Sequence, residues 1–118
     1  MVKVPFPYTD RAMRQFRPAL AVSTADIEAT HGLLWVLMVT SADNRGWPGD
    51  VSVPRHMAVG LPAPSVIRTA KIATIDATDA IRLGRVPRGS LEQVLSRVGH
   101  TLGVHSGTST GRGAVWLT

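Results

Sequence analysis

The chain has 118 residues, 44% of them hydrophobic, and a formal charge of +5 built from eleven Arg and two Lys against eight acids. That length is one domain with room for an apolar core, and the absence of cysteine excludes disulfides, thiolate metal sites and a cysteine nucleophile. The longest apolar run, residues 33–39, has a strand's length rather than a membrane span's, and the first ten residues lack the apolar stretch of a secretion signal, so the expected compartment is the cytoplasm.

In chain order, residues 1–4 lean towards β and end at Pro5. Residues 6–16, FPYTDRAMRQF, read as a loop with two arginines, Arg11 and Arg14. A strand of small and branched side chains follows at 19–23, entered through Arg17-Pro18. Residues 24–32 read as a turn or a single loose helical turn stopped by Gly32. The run at 33–40 is expected to be a central strand buried on both faces.

SADNRGWPGD at 41–50 is a loop, 51–53 is a short strand ended by Pro54, and 55–64 is a second loop rich in Gly and Pro. Residues 65–75 hold one or two strands around SVIR and KIATI, and a turn follows at 76–80. Ser90 is expected to open a helix through a capping box with Gln93. Leu91, Val94, Leu95, Val98 and Leu102 then share one helical face, read as core, and Gly103 stops the helix. The remainder, residues 104–118, is rich in Gly, Ser and Thr and is expected to be a flexible tail. Short strands, Pro/Gly loops and one late helix together predict a mainly β (α+β) fold, a bent sheet or partial barrel with helical cover.

Four pieces in this order carry a resemblance: VPFPYTD at 4–10, RPALAVS at 17–23, VTSA at 39–42, and GLPAPSVIRTAKIATID at 60–76 with the closing helix LEQVLSRVGHTLG. Together they resemble the MazF/PemK family of type II toxin–antitoxin toxins, across roughly residues 2–103. The resemblance implies an SH3-like small β-barrel with a C-terminal helix in a toxin domain at 1–103. It also implies a homodimer, an acidic antitoxin partner, and metal-independent cleavage of single-stranded RNA by attack of its own 2′-OH, with no cofactor. Two departures stand out. Family members start a few residues earlier, with Gly-Asp ahead of the first strand. PemK-type members carry an acid where this chain has Ala70. A non-enzymatic toxin of the gyrase-poison kind, or a folded but inactive family member, is the alternative these departures favour.

Cleavage of RNA through its 2′-OH builds negative charge on the phosphate, which fixed cationic donors stabilise. Taken alone, Arg17 is a surface arginine beside a turn proline. Within the family pattern it is the catalytic donor, a guanidinium able to fork onto two phosphate oxygens, with Pro18 stiffening its backbone. Thr40 ends the apolar strand and becomes, by the resemblance, a second catalytic residue with Ser41 as its neighbour. Arg68 matches an arginine used by PemK-type members and is either the second catalytic charge or a strand residue facing solvent. Lys71, three positions on, is expected to point to the opposite face. Tyr8, Arg14, Pro18, Ser41 and Trp47 are the candidates for binding RNA by stacking and charge. The four His have no metal-ligand spacing, so no metal site is expected.

Overall fold

The computed structural model describes residues 1–5 and 16–104. The elements are β1 (Val2–Pro5), β2 (Phe16–Ala21), α1 (Ala25–His31), β3 (Leu33–Ser41), β4 (Val51–Ser52), β5 (Ser65–Asp76), β6 (Ile81–Arg82) and α2 (Arg88–Leu102), with 3₁₀ turns at His56–Val59 and Ala77–Asp79. The six strands form one antiparallel sheet in the order β4-β5-β3-β2-β1-β6. The expected mainly β class with a C-terminal helix is what is found, but among the described residues the sheet is not closed into a barrel. Its edges, β4 and β6, are two residues long and offer too few ladder bonds to meet. Pro54, just after β4, has no amide to extend that edge. β6 was not expected, because two residues carry no readable periodicity.

Side chains of β3 alternate between two apolar clusters. Leu37 and Val39 join Leu20, Ile67, Val51 and Val53 on the face that α2 covers with Val94. Val36 joins Val4, Ala19 and Ile75 in the second cluster. The middle of β3 is thus buried on both sides as expected, but its start is not: Trp35 is 44% exposed.

The segment at 24–32 makes a full helix rather than a loose turn. Gly32 closes it in the left-handed region (φ 69°), its amide donating to the Glu28 carbonyl. α2 corrects the capping expectation. The helix begins at Arg88 after Pro87, and no side chain caps its N-terminus, so Ser90 lies already inside the first turn. Its C-terminal end is as expected, with Gly103 at φ 83° donating to Gly99 and His100 carbonyls. Of the stripe, Val94 is buried and Leu91 and Val98 are partly buried against the core, whereas Leu95 and Leu102 stay exposed.

β5 is interrupted. Leu37 pairs with Ile72 and Val39 with Ile67, so residues 68–71 bulge opposite Met38 alone. The chain start is tied in by the Met1 ammonium, which donates to the Gly84 carbonyl at 2.8 Å. Burial, helped by Arg82, holds that ammonium below its usual pKa.

Gly84 allows a close backbone crossing. A Cβ there would lie 2.9 Å from Val59 Cα and 3.0 Å from Val59 C, atoms that cannot swing aside. Gly84→Ala is therefore expected to destabilise the protein by about 1–3 kcal/mol, read as a lower midpoint in urea unfolding. A wild-type midpoint would mean the crossing has slack.

Candidate functional site

Antiparallel pairing builds the site. Ala19 faces Met38 across β2 and β3, and Arg17 and Thr40 each lie two residues beyond that pair on their own strands. On its other side Thr40 pairs with Val66 of β5. Arg17, Pro18, Thr40 and Ser41 accordingly line one open hollow of ≈ 760 Å³, together with Lys3 and Asn44. No Asp, Glu or His lines it among the described residues, so its charge is cationic, from Arg17 and Lys3. Arg17 itself is exposed.

The Thr40 hydroxyl is held from below. Asn44 Nδ2 donates to Thr40 Oγ1 at 2.6 Å. The intervening turn is tight: the Asn44 amide donates to the Ser41 carbonyl at 3.1 Å, and the Asp43 amide donates to Ser41 Oγ at 3.1 Å. Ser41 thus serves the turn, an ST-type arrangement, while Thr40 faces the hollow with a fixed oxygen.

Arg68 has other partners. It is 8% exposed and does not line the hollow. Its Nε lies 3.7 Å from Asp50 Oδ2, its Nη2 donates to the Arg45 carbonyl, and its guanidinium stacks 4.2 Å from the Trp47 ring centroid. Asp50 Oδ2 also accepts from the Trp47 amide at 2.9 Å. Thr69 Oγ1, the next residue, donates to the Gly49 carbonyl at 2.9 Å. The β5 bulge thereby grips residues 45–50. Trp47 is 36% exposed, with the Arg68 guanidinium over its ring. Lys71 corrects its expectation: because the strand is bulged, its Nζ comes to the same ring, 6.0 Å from the centroid. The solvent-facing alternative for Arg68 is likewise not what is found.

The sequence profile described as PemK-like, MazF-like toxin of type II toxin–antitoxin system matches residues 1–102. The chain belongs to that family. A MazE–MazF crystal structure from Deinococcus radiodurans (Form-II) is 27% identical, covering 88% of this chain and 91% of that one, with a TM-score of 0.69. A second MazE–MazF structure from the same organism (Form-III) is 30% identical over 75% of this chain and 87% of that one, TM-score 0.64. An endoribonuclease in complex with its cognate antitoxin, from a mycobacterial species, shares the fold at 16% identity, covering 88% and 91% of the two chains, with a TM-score of 0.68. Among curated proteins none matches the chain.

In this MazF-like toxin, then, β2 and β3 gather Arg17, Pro18, Thr40 and Ser41, whereas Arg68 and Trp47 form a separate cluster. Tyr8, Arg14 and the segment 105–118 lie outside the described residues. Sequence reading missed Asn44 and Lys3. For Asn44 the only signal was its residue type in a turn; that its side chain returns to Thr40 depends on the turn's geometry. His31, His56 and His100 sit at element ends away from the hollow's lining. No group of three or more His, Cys, Asp or Glu is placed to hold a metal among the described residues. No helix among them is long and apolar enough to cross a membrane.

Proposed function

We propose that this MazF-family toxin is a metal-independent endoribonuclease that cuts single-stranded RNA in the Arg17–Thr40 hollow and so blocks translation. The observation that carries the reading is the meeting of a guanidinium and a hydroxyl, from two strands, in a hollow whose described lining is cationic and holds no carboxylate. The substrate's 2′-OH attacks the adjacent phosphorus, the P–O5′ bond breaks, and a 2′,3′-cyclic phosphate forms. Charge accumulates on the non-bridging oxygens. Arg17 forks onto them, Thr40 donates a hydrogen bond, and Pro18 limits the freedom lost on holding them. Proton transfer falls to water, since no lining side chain among those described is a usual base.

The test is incubation of the protein, in EDTA, with a long single-stranded RNA, followed by mapping of the ends. Cutting at a short sequence with cyclic-phosphate ends is expected. Intact RNA at micromolar folded protein refutes the reading and favours a non-enzymatic binder on this fold, the reading that Ala70 keeps in play.

The partners follow the same reading. The MazE–MazF complexes and the net charge of +5 support an acidic antitoxin that competes with RNA for the basic surface. The toxin acts in the cytoplasm as a homodimer. Its candidate interface is the exposed apolar face of Trp35, Ile72, Leu95 and Leu102, contributed by β3, β5 and α2. Because Leu95 is already 42% exposed in the single chain, Leu95→Asp is expected to halve the mass seen by light scattering without lowering helix content. A persistent dimer would place the interface elsewhere.

A further inference from the structure

We infer that Asn44 is a positioning residue that makes Thr40 a one-way hydrogen-bond donor to the substrate phosphate; this rests on the ribonuclease reading above. A threonine hydroxyl has one hydrogen and two acceptor lone pairs. Left to rotate, it accepts as readily as it donates. Here the Asn44 amide, at 2.6 Å, occupies an acceptor site of Thr40 Oγ1. The hydroxyl hydrogen is left for another partner, and both Thr40 and Asn44 line the hollow. An oxygen that is already accepting is also a stronger donor, since chained hydrogen bonds polarise one another. A phosphate oxygen accepts only, so this polarity matches it and the reverse polarity repels it.

The backbone keeps the amide in place. The Asn44 N–H donates to the Ser41 carbonyl, and the Asp43 N–H donates to the Ser41 hydroxyl. Asn44 is therefore carried by a closed turn directly after the strand that presents Thr40. A neutral amide also sets the polarity without adding negative charge to a cationic hollow, which an aspartate or glutamate in its place would do.

Three variants test this. Asn44→Ala is expected to lower kcat about tenfold, the worth of one oriented hydrogen bond, with KM within about twofold and the thermal midpoint unchanged. Asn44→Asp suits the same turn but reverses the bond, taking the Thr40 hydrogen and adding charge, so it is expected to cut more slowly than Asn44→Ala. In a Thr40→Ala background, Asn44→Ala is expected to cost nothing further, because the hydroxyl it positions is gone. Additive losses in the double variant, cutting by Asn44→Asp at or above that of Asn44→Ala, or wild-type kcat in Asn44→Ala overturns the inference. Failure of the wild-type protein to cut RNA at all is a separate result: it refutes the ribonuclease reading and this inference with it.

Discussion

Arg17→Ala is expected to reduce RNA cutting by ~10²–10³-fold while the protein stays folded. The size of the loss follows from what the guanidinium is placed to do. The phosphodiester already carries one negative charge, and more builds on its oxygens as the 2′-oxygen bonds to phosphorus, so a fixed cation beside it favours the transition state over the bound substrate. Lys3 also lines the hollow, but an ammonium is a single point charge and cannot fork onto two oxygens. Arg17→Lys should accordingly recover part of the rate and not all of it. Folding is expected to be spared because Arg17 is exposed at the start of β2, and its backbone pairing with Val4 does not depend on the side chain. The measurement is single-turnover cutting of a defined RNA, with circular dichroism as the control for folding. Full activity in Arg17→Ala would remove Arg17 from the mechanism.

Arg68→Ala is expected to act first on stability. The side chain is held between Asp50, the Arg45 carbonyl and the Trp47 ring, and the two charged side chains are only 10% and 12% exposed. Removing one partner of such a pair leaves the other charge poorly solvated, and a loss of about 3 kcal/mol follows. For a domain of this size that corresponds to a melting midpoint lower by roughly 10 °C. Asp50→Asn removes the stranded charge and keeps an acceptor for the Trp47 amide, so adding it to Arg68→Ala should recover part of the loss. Cutting, assayed where the variant is still folded, should fall less than in Arg17→Ala. A variant with a wild-type midpoint and a cutting rate as low as that of Arg17→Ala would instead put Arg68 on the phosphate.

The contrast between these two arginines shows what a sequence exposes and what it conceals. Both sit in β-forming stretches, Arg17 in β2 and Arg68 in β5. Arg17 precedes a proline, a local signal, and its exposure agrees with that signal. Arg68 sits in a stretch that reads as a regular strand. It becomes part of a buried cluster because residues 68–71 bulge out of register against β3. The same bulge brings Lys71 towards Trp47, against the two-residue alternation that the sequence alone suggests. The capping pair Ser90 and Gln93 failed for a related reason. The helix start is set one turn earlier by Pro87 and Arg88, so a local motif yielded to the way the chain enters the helix.

By itself the sequence determined what depends on neighbours along the chain. Apolar runs placed β2 and β3, the 3.6-residue stripe and Gly103 placed α2 and its end, and the order of short motifs carried the MazF/PemK likeness. Tertiary structure alone decided which side chains meet. The β2–β3 pairing leaves Arg17 and Thr40 lining one hollow, the turn at 41–44 returns Asn44 to the Thr40 hydroxyl, and the β5 bulge turns Arg68 inward onto residues 45–50. The first and last of these rest on pairings between segments that are distant in sequence. A shift of one residue in such a pairing moves every side chain to the other face, and no local pattern records which register is chosen.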